Sequence, residues 1–132
     1  MERVKKKKRI TVQSAKDKGR RLQQWACQKI SELTGFEWGK DKPIESRAMG
    51  QSGSDIRMEK EVIEKFPFAI ECKYQESWAV PSWIEQARSY QKQGIDWILI
   101  CKRNQKPPVI IMDAHAFFEM LKKNGTGKDT EI

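Results

Sequence analysis

The sequence contains little of what would stabilise or localise several common classes of protein. Its three cysteines, Cys27, Cys72 and Cys101, are widely spaced without a C-x-x-C motif, and it has one histidine. These counts exclude a disulfide framework and a structural zinc site, so we expect reduced thiols. No apolar run approaches the roughly 18 to 20 residues of a membrane span, and the N-terminus lacks the apolar region of a secretory signal. We therefore expect a cytoplasmic protein without a membrane segment.

Glycine and proline are also few, at 8 and 5 residues, which excludes collagen-like and low-complexity chains. What the sequence does contain is 38% hydrophobic and 33% charged residues in a chain of 132. This length and composition predict one globular domain with a single sizeable core.

The positive charge of the chain is concentrated at its N-terminus. Residues 1–21 contain ten Lys or Arg and two acidic residues, a net charge of +8, whereas the rest contains 16 of each sign. A neutral globule with a basic arm is suited to a polyanion such as DNA, because each neutralised phosphate releases counterions. The alternative is a solvated, flexible tail. The basic residues that we expect to bind are Lys5, Lys6, Lys7, Lys8, Arg9, Lys18, Arg20 and Arg21.

The hydrophobic pattern predicts an α/β (α+β) domain, in which a mixed sheet is flanked by helices. We expect a basic flexible arm at 1–16, a single domain at 17–123 and a flexible tail at 124–132. Helices are predicted from 17 to 33, from 82 to 93 with a capping box at its start, and from 114 after a capping aspartate. Strands are predicted at 44–48, 55–58, 68–73, 97–101 and 109–112, and 59–65 fits either a helical turn or a loop. Trp25, Trp83 and Trp97 fall on apolar faces and are expected in the core.

Charged residues interrupt two of the predicted strands. Asp55 begins a strand after a Gly/Ser turn, and Glu71 and Lys73 share one face of the next strand while Cys72 points to the other. Two carboxylates with one backbone carbonyl form the oxygen-rich site that Mg²⁺ prefers. A nearby lysine can orient an attacking water or stabilise developing phosphoryl charge. The alternative is a structural ion pair between strands.

Asp55 followed by Glu71-Cys72-Lys73 resembles the PD-(D/E)XK nuclease superfamily, and within it the phage-encoded and archaeal Holliday-junction resolvase-like endonucleases. The resemblance extends from Lys18-Gly19 through the Gly/Ser turn to the helix that contains Trp83-Ile84-Glu85. It implies a restriction-endonuclease-like core and hydrolysis of DNA phosphodiesters that depends on Mg²⁺, for which Mn²⁺ substitutes. It also implies a homodimer and, for a phage protein, a location in the host cytoplasm.

The resemblance also implies roles for individual residues. Asp55, Glu71 and the backbone carbonyl of Cys72 would be metal ligands, and Lys73 would be the catalytic lysine. Gln86 and Tyr90 form a Gln-x-x-x-Tyr pattern similar to one in RecB-type members. Their spacing places both on one helical face, where they could reach the scissile phosphate or the attacking water. The alternative for this pair is an amphipathic helix with the tyrosine in the core.

The sequence departs from the resolvase-like pattern in its first helix. Those members have Lys-Gly-x-x-x-Glu, whereas here Lys18-Gly19 is followed by Gln23 and Gln24. We expect Glu45 to supply the missing carboxylate, with Glu32 as the other nearby acid. Weak metal binding or loss of catalysis is the alternative, because a neutral amide binds Mg²⁺ less strongly.

Small polar and aromatic residues in the loops add weaker candidates. Ser52 and Ser54 could hydrogen-bond a phosphate, although building the turn is the simpler role. Trp38 and Trp78 could contact unpaired bases.

Three functions are compatible with these patterns. The first is a Mg²⁺-dependent endodeoxyribonuclease that selects branched DNA such as Holliday junctions and leaves 5′-phosphate and 3′-hydroxyl ends, as the resemblance implies. The second is a module that kept the nuclease fold and binds DNA or a protein. The third is an exonuclease or nickase with the same site.

Overall fold

The computed structural model describes residues 11–47 and 53–124 of the chain. Its elements, in chain order, are α1 (Val12–Thr34), β1 (Ile44–Ser46), β2 (Ile56–Met58), α2 (Lys60–Lys65), β3 (Phe68–Tyr74), α3 (Val80–Arg88), β4 (Asp96–Lys102), β5 (Val109–Met112) and α4 (Ala114–Lys123). The segment 59–65, for which a helical turn and a loop were both open, contains a short helix. The predicted mixture of helices and strands is confirmed.

The strands form two sheets of mixed orientation. Strand β3 pairs in parallel with β4, which pairs antiparallel with β5, and β1 pairs antiparallel with β2. The parallel pair needs a crossover connection, and α3 supplies it. Helix α1 packs against β3 and β1, while α3 packs against β4 and β3. The predicted sheet flanked by helices is therefore observed.

Asp55 joins the two sheets through its backbone. Its N–H donates to the carbonyl of Ile70 in β3 at 2.8 Å, and its own carbonyl accepts from the N–H of Arg47 at 2.7 Å. These two bonds fix the start of β2 against the middle of β3. The polar residue that begins β2 is thus held at the edge of the larger sheet.

Each face of the larger sheet has its own core. The α1 side buries Leu22, Ala26, Cys27, Ile30, Ile44, Ile56, Val62, Ile70, Cys72, Ile98 and Ile100. The α3 side buries Trp83, Ala87, Trp97, Leu99 and Cys101. The three cysteines are buried free thiols, and burial raises the pKa of Cys27 to about 12 and that of Cys101 to about 11. Such thiols are packing groups and weak nucleophiles.

Helix α1 begins earlier than its sequence predicted. It starts at Val12 and not at Asp17, because the Thr11 side chain accepts a hydrogen bond from the Ser14 N–H at 2.9 Å and caps the first turn. The predicted flexible arm at 1–16 is therefore wrong for 12–16. The basic run at 5–9 and the tail from 125 lie outside the described residues.

Helix α3 differs from its prediction at both ends. It begins at Val80 with Pro81 in its first turn, where a proline needs no N–H partner. Ser82 is therefore inside the helix, and its hydroxyl donates to the carbonyl of Ala79 at 3.0 Å instead of capping it. The helix ends at Arg88, where the Ser89 hydroxyl donates to the carbonyl of Gln86 at 2.6 Å.

Two exposed apolar regions were not predicted. Trp25 is 40% exposed on α1, so its predicted place in the core is wrong, whereas Trp83 and Trp97 are buried as expected. Helix α4 begins at its predicted cap but buries none of its residues. Phe118 of this helix is 63% exposed. Ile110 of β5, a little earlier in the chain, is 57% exposed. None of the described helices has the length and apolarity to cross a membrane.

Candidate active site

A pocket of about 480 Å³ opens where α1, β3 and the end of α3 meet. All five side chains that the sequence predicted as catalytic line it, together with Cys72. The polar and charged groups of its wall come from Lys16, Gln23, Asp55, Glu71, Cys72, Lys73, Tyr74, Gln75, Gln86 and Tyr90. The pocket is therefore the candidate active site.

Asp55 reaches this pocket because β3 holds both its backbone and its side chain. One carboxylate oxygen, Oδ2, accepts a hydrogen bond from the N–H of Cys72 at 2.7 Å. Burial raises the pKa of Asp55, while the Cys72 N–H and the charges of Lys73 and Arg47 act in the opposite direction. The second oxygen, Oδ1, is left for other partners.

Glu71 is the most deeply buried charged residue of the site. It is 3% exposed, and its Oε1 atom has no hydrogen-bond partner among the described residues. Burial, and then the charge of Asp55, raises the pKa of Glu71 to about 7, against the opposite effects of Lys73 and Tyr90. A buried carboxylate oxygen without a partner is costly unless a ligand occupies it.

Lys73 lies beside Glu71 on the same face of β3, as predicted. Its Nζ atom is 3.5 Å from Glu71 Oε2 and 5.7 Å from the centroid of the Trp83 ring. The ring supports the lysine stem while its ammonium group faces the pocket. The pair also fits the alternative of a structural ion pair, in which Lys73 contacts Oε2 and leaves Oε1 without a partner among the described residues.

Gln86 and Tyr90 both line the pocket, although α3 ends between them. The turn after the helix keeps Tyr90 near it, since the Tyr90 N–H donates to the carbonyl of Ala87 at 3.1 Å. Burial raises the pKa of the Tyr90 hydroxyl. Tyr90 thus stays a neutral hydrogen-bond donor that faces the carboxylates and is not a core residue.

The two carboxylates fit a divalent cation with oxygen ligands. Asp55 Oδ1 and Glu71 Oε1 are available, and the Cys72 carbonyl lies on the same strand edge as the Cys72 N–H that bonds Asp55. Mg²⁺ is commonly bound by one or two carboxylates plus water and substrate phosphate. Within residues 11–47 and 53–124, no group of three or more His, Cys, Asp or Glu side chains could hold a metal ion. The donor set therefore fits a hydrated Mg²⁺ and not a fully protein-bound metal.

The predicted substitute carboxylate, Glu45, is not brought into this pocket. It accepts hydrogen bonds from the Asp41 N–H at 3.1 Å and from the Arg57 guanidinium, which together lower its pKa. It lines a neighbouring cleft with Arg20. Gln23, at the position of the missing glutamate, is 4% exposed and lines both cavities. An amide therefore occupies the place where the resemblance expects an acid.

The residues predicted to bind DNA are distributed around the pocket. Lys18 lies over the Tyr74 ring at 5.6 Å, Arg20 lines the neighbouring cleft, and Arg21 lines a third cleft on α1. The Ser54 hydroxyl donates to the carbonyl of Ile56 at 3.2 Å, which is the turn-building role. Ser52 and the basic residues 5–9 lie outside the described residues.

Arg47 is a candidate functional residue that the sequence did not reveal. Its Nε atom is buried without a hydrogen-bond partner among the described residues, and its charge lowers the pKa of Asp55. The backbone of Gly53 lies against its guanidinium group, because a Cβ atom there would be 3.5 Å from Arg47 Cζ. No motif marks this arginine, whose placement depends on the bond between its N–H and the Asp55 carbonyl. Arg47 lines two neighbouring clefts, one with Glu45 and one with Ser54, and not the pocket of Asp55 and Glu71 itself.

Comparison with protein families agrees with this geometry. The model of the family described as "Phage putative PDDEXK endonuclease" matches residues 14–131. The chain belongs to this family. As a phage PDDEXK endonuclease family member, it contains within the matched range Asp55 and Glu71-Cys72-Lys73, whose residue types follow the D and E-x-K order of the family name. No curated protein and no solved structure matches the chain significantly.

Proposed function

We propose that this member of the phage PDDEXK endonuclease family hydrolyses phosphodiester bonds of DNA in the pocket of Asp55, Glu71 and Lys73. Mg²⁺ would be its cofactor, and Mn²⁺ would replace it. The observation that carries the proposal is the buried, unpartnered Oε1 atom of Glu71 beside an aspartate whose second oxygen is also available. A buried carboxylate oxygen without a partner lowers the stability of the fold, and a bound cation would offset that loss.

The bound cation would neutralise the two carboxylates and polarise the scissile phosphate. Lys73 would donate a hydrogen bond to the attacking water or to a phosphoryl oxygen, because its ammonium group is held 3.5 Å from Glu71 at the pocket wall. Gln86 and the neutral Tyr90 hydroxyl would orient the phosphate from α3. A water oxygen would form a bond to phosphorus while the 3′-oxygen leaves and takes a proton, which gives 5′-phosphate and 3′-hydroxyl ends.

Branched DNA is the proposed substrate. The basic run at 5–9, with Lys18, Arg20 and Arg21, would bind backbone phosphates, an interaction that carries no sequence information. The described elements include no helix that resembles a base-reading element, which supports selection by DNA structure. Truncation before Thr11 should reduce the salt dependence of DNA binding by about one unit of slope for each phosphate that the arm neutralises.

Symmetric cleavage of a four-way junction requires two active sites, so we propose that the chain acts as a homodimer. The surface that supports this proposal is formed by β5 and α4, and we call it the β5–α4 face. Its large exposed apolar side chains are Phe117 and Phe118 on α4 and, on opposite sides of β5, Val109 and Ile110. A ten-residue helix that buries none of its residues is marginal in water without a partner.

A second copy is the occupant that this face fits. Strand β5 pairs only with β4 among the described strands, so its other edge can pair with the same edge of a second molecule. The segments 1–10, 48–52 and 125–132 contain no two adjacent large apolar residues that could cover the face. Its four side chains expose apolar area on the order of a few hundred Å², comparable with the apolar centre of an interface of about 800 Å² per partner.

The oligomeric state tests this assignment. Light scattering of the full chain should give a dimer mass, and Phe118→Glu should give a monomer with an unchanged circular dichroism spectrum. Leu33→Glu, which alters an apolar residue that is 70% exposed on α1, is the matched control and should leave the dimer intact. A monomeric wild type, or equal loss in both variants, would overturn the β5–α4 dimer.

Cleavage assays test the proposed activity. End-labelled four-way junction, flap, duplex and single-stranded DNA should be incubated with Mg²⁺, Mn²⁺ or EDTA. The wild type should make paired cuts near the junction with either metal and none in EDTA. Asp55→Asn should abolish cutting, since an asparagine oxygen can still accept from the Cys72 N–H but carries no charge. Glu85→Gln, an exposed acid on α3, is the control that should retain full activity.

A DNA- or protein-binding module is the second candidate, and the buried Gln23 in place of a glutamate favours it. Binding of junction DNA without cleavage in either metal would support this module. Cuts confined to ends or to one strand would instead indicate an exonuclease or a nickase.

A further inference from the structure

A cleft of about 240 Å³ lies beside the candidate active site on the outer side of α1. It is lined by Arg21, Leu22, Trp25, Tyr74, Lys102 and Pro108. Tyr74 also lines the candidate active site, so the two cavities share a wall. We call this cavity the Trp25 cleft.

Trp25 presents a large aromatic surface to solvent in this cleft. The side chain is 40% exposed, although its position on the hydrophobic stripe of α1 predicted burial. Lys29 contacts the ring, with its Nζ atom 5.8 Å from the ring centroid. An exposed indole at a cleft wall offers a flat surface on which another ring can stack.

Cations lie around the cleft; Lys29 is paired with Glu32 at 3.7 Å, whereas the others have no acidic partner among the described residues. The ammonium groups of Lys18 and Lys102 lie 5.6 Å and 5.1 Å from the centroid of the Tyr74 ring. Lys102 is held there by the carbonyls of Arg103 and Lys106, at 3.1 Å and 2.6 Å. Among the described residues, no carboxylate lies within salt-bridge distance of Lys18, Arg21 or Lys102. Fixed, uncompensated positive charge around an aromatic wall suits a ligand that combines an anion with a flat ring.

We propose that the Trp25 cleft binds an unpaired nucleotide of the DNA substrate, with the base on Trp25 and the adjacent phosphates on Arg21, Lys18 and Lys102. The proposal rests on the DNA substrate proposed above and adds a preference for single-stranded branches. A base within a duplex is stacked on its neighbours and has no free face for the indole, whereas a base in a flap or an open junction does. The shared Tyr74 wall places such a strand next to the carboxylates.

The test compares two DNA ligands that differ only in an unpaired tail. Fluorescence anisotropy in EDTA would measure binding of a blunt duplex and of the same duplex with a single-stranded flap. Trp25→Ala should weaken binding of the flapped duplex by about 5- to 150-fold, as expected when one stacked base loses its platform, and change blunt-duplex binding less than about twofold. Trp25→Phe, which keeps a stacking ring, should restore most of the affinity.

A matched control and a second measurement separate stacking from damage to the fold. Leu33→Ala removes an exposed apolar side chain from the same helix and should alter neither ligand's affinity. The double variant Arg21→Gln with Lys102→Gln should lower the salt slope for the flapped duplex by about two. Thermal melting should show that each variant remains folded.

The outcomes distinguish this inference from the proposed nuclease. Equal weakening of both ligands by Trp25→Ala, or no weakening, would overturn the Trp25 cleft while leaving DNA cleavage intact. A wild type that binds neither ligand would overturn the proposed function itself. Competition by an acidic peptide at lower concentrations than single-stranded DNA would overturn nucleotide binding and show that the cleft recognises a protein.

Discussion

Strand β3 has buried residues on both of its faces, but the two faces contain opposite chemistry. Toward α1 it presents Ile70 and Cys72, which pack in the larger apolar core. Toward α3 it presents Glu71 and Lys73, a buried carboxylate and a lysine. Burying the first pair stabilises the fold, whereas burying Glu71 raises its pKa to about 7 and costs stability. The apolar packing of Ile70 and Cys72 therefore supplies stability that offsets the destabilising burial of Glu71 on the opposite face.

The largest expected effect comes from the apolar face. Ile70 is fully buried, so Ile70→Ala should lower the free energy of unfolding by about 2–5 kcal/mol, because it removes apolar packing and leaves a cavity. Urea unfolding would measure the change, and the folded fraction should still cleave DNA at the wild-type rate. A loss of cleavage larger than the loss of folded protein would show that the two faces are not separable.

A substitution on the polar face should instead reduce cleavage while leaving the free energy of unfolding nearly unchanged. Lys73→Met keeps the aliphatic stem against Trp83 but removes the charge, so cleavage should fall by about 10²- to 10³-fold. The free energy of unfolding should change little at pH 6, because Glu71, with its pKa near 7, is mostly protonated at that pH and is not left as an unpaired buried charge. A collapsed circular dichroism spectrum would instead identify a structural ion pair.

The cost of burying Glu71 should appear as a pH dependence of stability. The pKa of Glu71 is raised from 4.5 to about 7, so the folded chain holds a proton that the unfolded chain releases. The folded state therefore loses roughly 2–3 kcal/mol as the pH rises from 4.5 to 7. In EDTA, Glu71→Gln should be more stable than wild type by that amount at pH 8 and equally stable at pH 4. An equal difference at both pH values would contradict this cause.

The smallest expected effect is at Gln23, where the two cavities meet. Gln23→Glu would place a third carboxylate in the candidate active site and should tighten binding of Mn²⁺ about tenfold, measured by calorimetry without DNA. Gln24→Glu changes the neighbouring residue, which lines only the adjacent cleft, and should leave the affinity unchanged. Equal tightening in both variants would indicate a general charge effect and not a ligand.

Much of this site could be predicted because its residues depend on the alternation of a strand. The opposite directions of Glu71 and Cys72 follow from that alternation, and the structure confirms them. Strand β5 was predicted at its observed bounds, since its short apolar run is followed directly by Asp113, which caps α4.

The remaining features depend on contacts between distant parts of the chain. Glu45 is near the site in sequence but is bound by Arg57, its partner across the β1–β2 ladder, which no local pattern reveals. Trp25 has the spacing of a core residue, yet its side chain is 40% exposed, because the packing of α1 against the sheet leaves it uncovered. Arg47 is held next to Asp55 by a backbone hydrogen bond, and a backbone bond leaves no mark on the sequence.

The two hydrogen bonds between Asp55 and β3 have a consequence for how the chain can vary in length. Asp55, at the end of the connection between β1 and β2, is held by the backbone of Ile70 and Cys72 and by the N–H of Arg47 next to β1. Residues inserted at 48–52 would therefore lengthen that connection at the modest entropic cost of a longer loop, without moving the carboxylate. The connection is thus a place where the chain can vary in length while the position of Asp55 is retained.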